Sequence, residues 1–203
     1  MKLVGTKILL GMPCVHQIPV QTVGSLIRIA KDGIVDPLLV EGSLIYDSRD
    51  YIAKAAIKGD YDYVLYVDSD MIFSPEDVER LLAHKVGICS GLYITRRGEG
   101  KNVLYSEIIT RRRFPPRAPK LIHDPQESGF GRVEGCGFGF VLIKTSVLKT
   151  MFKYYKSLFE PFKGVGEDIA FCLRARRCGF YTFADRDVKL GHIGTRVYER
   201  ETD

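Results

Sequence analysis

The segment Val64-Leu-Tyr-Val-Asp-Ser-Asp-Met-Ile-Phe73 puts two carboxylates, Asp68 and Asp70, at the end of an apolar run. A charged carboxylate is costly to bury unless a cation or donor groups compensate it. Residues i and i+2 of a strand face the same side, so the pair can converge on a hard divalent cation such as Mg2+ or Mn2+. A solvated turn is the bland alternative, because Asp and Ser favour turns. An EF-hand calcium loop is disfavoured, since the Gly and later Glu of that pattern are missing. A second acidic pair, Glu167-Asp168, opens a segment that closes on Arg174, Arg176 and Arg177. The helix dipole favours acids there without any function. Neighbours on a helix diverge by about 100°, so one acid can accept a proton while the other orients a ligand. His192 sits between Gly191 and Gly194. A lone His is commonly structural, but these glycines permit close backbone approach, and imidazole can join two carboxylates around a transition metal.

The elements that must position these groups alternate in type. Lys7–Cys14 reads as a buried strand ending in a Pro-containing turn, and 21–31 as a helix ending before Asp32-Gly33. A short strand at 37–41 precedes a helix at 46–58 with Ile52, Ala53, Ala56 and Ile57 on one face. A strand follows at 61–67. Ser74-Pro-Glu-Asp77 then starts a helix running to about Lys85, with Ser as N-cap, Pro at the first helical position and acids in the first turn. A strand at 86–93 follows. The stretch 96–132 loses the pattern and reads as a long basic loop or flap. Order returns with a strand at 135–144 and a helix at 145–155. The helix opened by Glu167-Asp168 is capped by Gly179, and a last strand covers 181–184. The tail after 194 is expected to fray. Strand–helix alternation predicts an α/β fold in one domain spanning 1–203, with a mostly parallel central sheet covered by helices on both faces. Ligands of such sheets bind beyond the carboxyl ends of the strands, where Asp68 and Asp70 lie.

At 203 residues with 45% hydrophobic content, the chain can bury one sizeable core. No apolar stretch approaches the roughly 18 residues that span a membrane, and the N-terminal apolar run lacks a clear small-residue cleavage site. Five cysteines (Cys14, Cys89, Cys136, Cys172, Cys178) lack zinc-ligand spacing; their odd number favours reduced thiols in a cytoplasmic protein. The net charge of +5 is concentrated. Arg96, Arg97, Lys101, Arg111, Arg112, Arg113, Arg117 and Lys120, opposed by Glu99 and Glu107, give +6 between 96 and 120. That segment is either a solvated loop or a site for a polyanion or phosphate.

The ordered set of Asp-x-Asp at a strand end, a Gly-rich strand, a late acidic pair and a Gly-flanked His resembles nucleotide-sugar-dependent glycosyltransferases of the GT-A fold. It is most similar to small members related to glycosyltransferase family 2, of the kind that bacterial and archaeal viruses encode. Glu167-Asp168 through His192 carries the most specific part of the likeness. The resemblance implies a Rossmann-like GT-A architecture and an inverting hexosyltransferase. It would use Mn2+ or Mg2+ and a nucleoside-diphosphate sugar, with a UDP-sugar favoured. It implies that Asp68-Ser69-Asp70 meets the donor, with Asp68 toward the ribose and Asp70 the direct metal ligand. His192 becomes a further metal ligand and Asp168 the general base. Pro13, Cys14 and Val15 would surround the nucleotide base, Glu41 would hydrogen-bond it, and Arg49 would meet the diphosphate. Gly135, Cys136, Gly137 and Glu167 would face the sugar or acceptor. Where members of the family carry Ala-Arg-Asn, this chain has Ser48-Arg49-Asp50, and Asp50 adds an unexpected negative charge. For a viral member the setting would be the host cytoplasm. The acceptor stays open among modified DNA, a glycan, a protein and a lipid, as does the oligomeric state.

Three rivals share parts of this pattern. A haloacid-dehalogenase-like phosphatase would use Asp68 as nucleophile and Asp70 as acid/base, but Ile72 stands where Thr or Val is usual. A sugar nucleotidyltransferase would open with a Gly-x-Gly-Thr-Arg type of loop, which Gly11-Met-Pro-Cys14 lacks. A non-catalytic nucleic-acid-binding module would explain the basic stretch but not the acids.

Overall fold

The computed structural model describes residues 5–15, 17–31, 33–42, 44–95, 101–109, 120–162 and 164–194. In chain order the elements are β1 (Ile8–Cys14), α1 (Val20–Lys31), β2 (Asp36–Glu41), α2 (Ile45–Lys58), β3 (Tyr63–Val67), β4 (Met71–Ile72), α3 (Pro75–Ala83), β5 (Ile88–Leu92), β6 (Leu104–Ile109), β7 (Lys120–His123), β8 (Phe130–Val133), β9 (Gly135–Cys136), β10 (Phe140–Lys144), α4 (Thr145–Met151), α5 (Glu167–Arg177), β11 (Thr182–Lys189) and β12 (Gly191–His192).

Seven strands form the central sheet in the order β2-β1-β3-β10-β5-β11-β8. β1, β2 and β3 pair in parallel, as do β5 and β11, while β10 runs antiparallel between β3 and β5. β8 is antiparallel to β11 at the edge. Five of the seven strands therefore share one direction, and the sheet is mostly parallel. Successive side chains of a strand point to opposite faces. On β3, Val64 and Tyr66 join the core beneath Ile52 of α2, Leu148 of α4 and Phe171 of α5. Leu65 and Val67 join the opposite core, beneath Leu26 of α1 and Leu81 of α3. Both faces being covered explains why β3 reads as a continuous apolar run.

Two small sheets adjoin this frame: β12 pairs with β4, and β6 lies between β7 and β9. The patternless stretch expected over 96–132 is thus corrected, since β6 and β7 lie within it and β8 begins there. A register irregularity between Tyr105 and Glu107 breaks the two-residue alternation of β6 and hides it from a periodicity reading. Residues 96–100 and 110–119, with Arg96, Arg97, Arg111, Arg112, Arg113 and Arg117, lie outside the described residues, as does the tail after 194.

Three further expectations change. The strand over 135–144 divides, β9 joining the small sheet and β10 the large one. The helix from Thr145 stops at Met151, four residues early. The last strand extends from Thr182 to Lys189, and two of its charged residues, Asp185 and Arg186, are neutralised inside the protein. Arg186, 2% exposed, donates from Nε to Asp124 Oδ2 at 2.6 Å, and Asp185 accepts from Arg80 and His84. The helix start at Ser74 is as expected: Asp77 Oδ2 accepts from the Ser74 backbone N–H and hydroxyl, and Pro75 is the first helical residue.

α2 lies unusually close to β1. A Cβ on Gly11 would sit 2.2 Å from Cγ2 of the fully buried Ile52, so the absent side chain sets the helix–sheet spacing. We expect Gly11→Ala to lower unfolding free energy by ~1–3 kcal/mol through overpacking. The readout is a lower denaturant midpoint at unchanged m-value; an unchanged midpoint would show that α2 tolerates a wider spacing.

Candidate functional site

β1, β2 and β3 end on the same side, and the pocket lies just beyond them. About 210 Å3 in volume, it is lined by Pro13, Cys14, Val15, Gly42, Ile45, Asp68, Ser69 and Asp70. Six of these are residues singled out from the sequence; Gly42 and Ile45 were not. Glu41 ends β2 opposite Cys14 but lines an adjacent open groove with Gly42, Leu44 and Tyr51. Burial, then the nearby Glu41 charge, raises the Cys14 thiol above its ordinary value.

Asp70 and His192 meet because β4 pairs with β12, which sets His192 opposite Met71. The Ile193 backbone N–H also donates to the Asp70 carbonyl at 2.9 Å. A carbonyl oxygen only accepts, so the 2.7 Å contact to Ile94 O places the proton of neutral His192 on Nδ1. That leaves the Nε2 lone pair facing Asp70 Oδ1 at 3.5 Å. A backbone carbonyl orienting an imidazole in this way is characteristic of metal-ligating histidines. Among the described residues no group of three or more His, Cys, Asp or Glu is placed to hold a metal. Asp70 and His192 bring one carboxylate oxygen and one imidazole nitrogen together, two donors of the kind a divalent cation takes.

Asp68 does not complete the trio expected with Asp70 and His192. Its Oδ1 accepts from Arg49 Nη2 at 2.8 Å, while Arg49 Nη1 donates to Glu167 Oε1 at 2.8 Å. Arg49 is 2% exposed, with its guanidinium 5.2 Å from the centroid of the Phe138 ring. Phe138 belongs to an aromatic cluster with Tyr66, Phe159 and Phe171, and the Tyr66 hydroxyl donates to the Arg49 carbonyl at 3.1 Å. Burial disfavours the Arg49 charge, but Asp68, Glu167 and Asp168 outweigh it and lift its pKa above the ordinary arginine value.

Asp50 faces elsewhere, which corrects the expectation that it adds negative charge to the site. Its Oδ1 accepts from the Leu158 N–H at 2.8 Å, and Arg174 donates to the Leu158 carbonyl at 2.9 Å. Leu158 is thereby held at both its backbone polar groups. Gly135, Cys136 and Gly137 are buried. The space at Gly135 is taken by Ile108 and Ile169, that at Gly137 by Tyr93 and Val103, and Cys136 lies in the core. These placements do not support the sugar or acceptor contacts expected of those three residues.

Asp168 stands beside the Arg49 centre without joining it. Its Oδ1 accepts from the Ile169 N–H at 2.7 Å. Burial, then the charge of Glu167, raises its carboxyl from 3.8 to about 6, against the opposing pull of the Ile169 amide and Arg49. A partly buried carboxylate titrating near neutrality is suited to accept a proton. Sequence reasoning missed the Arg49–Glu167 link, since nothing in the spacing of residues 118 apart announces it.

The fold has solved counterparts. Over 97% of this chain and 98% of theirs, the crystal structure of A197 from STIV superposes with a TM-score of 0.59 at 18% identity. The GT-A glycosyltransferase GalNAc-T7, solved with UDP, GalNAc and Mn2+, superposes with a TM-score of 0.61 at 12% identity over 95% of this chain. This chain covers 43% of that one. No protein-family model and no curated protein sequence matches the chain. The chain is therefore similar in fold to a GT-A glycosyltransferase.

The raised Asp168 carboxyl has a consequence for stability. The folded protein holds this proton up to about pH 6, whereas the unfolded chain releases it near 3.8. Stability attributable to this group is therefore present below pH 4 and lost as pH rises toward 6. Asp168→Asn should leave stability unchanged at pH 4 and raise it by about 1–3 kcal/mol at pH 7.5, measured by denaturant unfolding in chelator. Equal effects at both pH values would show that Asp168 titrates normally.

Proposed function

We propose that the chain is an inverting glycosyltransferase that depends on a divalent cation, Mn2+ or Mg2+, and takes a nucleoside-diphosphate sugar as donor. The observation that carries this reading is that, in a GT-A-like fold, Asp68 and Glu167 share Arg49 with Asp168 beside them, while Asp70 faces His192 close to the carboxyl end of β3. A UDP-sugar is favoured, since the GalNAc-T7 structure holds UDP, GalNAc and Mn2+.

In this reading Pro13, Cys14, Val15 and Ser69 shape the donor pocket, and Asp68, fixed by Arg49, is oriented toward the ribose. A cation held by Asp70 and His192 would, when bound, offset charge gathering on the departing diphosphate. An acceptor hydroxyl placed against Asp168 gives up its proton to that carboxylate. Its oxygen then bonds to the anomeric carbon from the face opposite the diphosphate. The bond from that carbon to the diphosphate breaks, and the nucleoside diphosphate leaves with the electron pair. The acceptor class remains open among DNA, a glycan, a protein and a lipid. A phosphatase would need Asp68 as a free nucleophile, and the ion pair to Arg49 opposes that role.

A thermal-shift and hydrolysis screen of nucleotide sugars, with and without Mn2+, tests the proposal. At least one UDP-sugar should stabilise the protein and turn over only with the cation. Asp168→Asn should bind that donor normally yet turn it over ~10²–10⁴-fold more slowly. The wild-type rate should rise with pH through about 6 as Asp168 loses its proton. Silence from every donor would sink the proposal; phosphomonoester cleavage would favour a phosphatase, and salt-sensitive DNA binding without turnover a nucleic-acid module.

A further inference from the structure

We infer that Arg49 is a positioning residue: its guanidinium ties the end of β3 to the first turn of α5 through Asp68 and Glu167, and it does not bind the donor diphosphate. The inference rests on Asp168 being the base, and it replaces the diphosphate contact that the sequence resemblance implies for Arg49. A phosphate-binding arginine offers its fork of N–H groups to the ligand. Here both terminal nitrogens are already committed, at 2.8 Å each, to carboxylates from separate elements. Of the guanidinium's five N–H donors, the one on Nε is buried without a hydrogen-bond partner among the described residues. With 2% exposure, a ring at 5.2 Å and its own carbonyl held by Tyr66, the side chain cannot reach a pocket ligand without breaking both ion pairs.

Its effect on chemistry passes through Asp168. The charged and titratable groups around that carboxyl are Glu167 and Cys172 on its own helix, Arg49 on α2, Asp68 beyond β3, Tyr105 on β6 and Cys136 on β9. Arg49 is the cation among them. Glu167 and Asp68 hold the Asp168 proton on, and Arg49 helps to take it off. Removing the cation and removing its anionic partner should therefore move Asp168 in opposite directions. A residue that merely props the fold would not give that signature.

The test uses the whole chain and two variants, Arg49→Met and Glu167→Gln. The Asp168 side-chain carboxyl carbon, assigned by its loss in Asp168→Asn, is titrated by NMR in chelator. Arg49→Met should raise its midpoint by about one pH unit or more, and Glu167→Gln should lower it by a comparable amount. Calorimetry with UDP and Mn2+ should show less than about a tenfold loss of affinity in Arg49→Met, roughly one charge-assisted contact or less. A loss of tenfold or more would make Arg49 a diphosphate ligand and overturn the inference. Midpoints that stay put or move together would also overturn it. If Arg49→Met does not fold, Arg49→Gln takes its place in both measurements and is judged by the same outcomes. Because the titration needs no turnover, it separates failure here from failure of the glycosyltransferase reading.

Discussion

The buried charge of Arg49 is the constraint around which the rest of the site is arranged. Removing a guanidinium from water costs several kcal/mol after relaxation. Two charge-assisted hydrogen bonds and the Phe138 ring offset that cost, provided all three partners stand where they do. α2 must therefore approach β1 closely, which Gly11 allows. The next residue serves another part of the fold. Side chains of helix neighbours diverge by about 100°, so Asp50 reaches the Leu158 peptide while Arg49 reaches the pocket acids. Two adjacent charges of opposite sign thus hold different segments against one helix.

Four carboxylates at the site end in three different environments. Asp68 and Glu167 share a cation, Asp70 faces an oriented imidazole, and Asp168 keeps a backbone amide. The same functional group thus meets an arginine, an imidazole and a backbone amide within one small region, and at Asp168 burial raises the proton affinity. The packing that produces this is local: Ile169, next to Asp168, fills the space left by Gly135 and draws the first turn of α5 against β9.

Much of the scaffold was legible because its signals were local. β1, α1, β2, α2, β3, α3 and α5 announce themselves through apolar periodicity and helix-end chemistry, and the sheet direction follows from their alternation. Of the site, the Asp-x-Asp strand end and the β1 turn fell into one pocket as read. Illegible features depend on pairing at a distance. β6 is disguised by its bulge, the charged half of β11 by salt bridges to Asp124 and Arg80, and β4 and β12 by being two residues long. The glycines at 135 and 137 were assigned to a ligand because a sequence cannot say whether the space beside a glycine is filled from inside or outside. Here Ile169 and Tyr93 fill it. Asp50 is the same error in charge: its sign was readable, its direction was not.

The two-residue pairing of β12 with β4 joins positions more than a hundred residues apart. Such contacts form late, because the entropy of closing a long loop must be met before they contribute. When Asp68 and Asp70, between β3 and β4, have left the ribosome, His192 has yet to be synthesised. A nascent chain can therefore close much of its sheet before Asp70 meets His192, and a cut after β11 would separate that pair without removing the strands of the core. The contact between Asp70 and His192 is a late property of the chain, made when β12 settles beside β4.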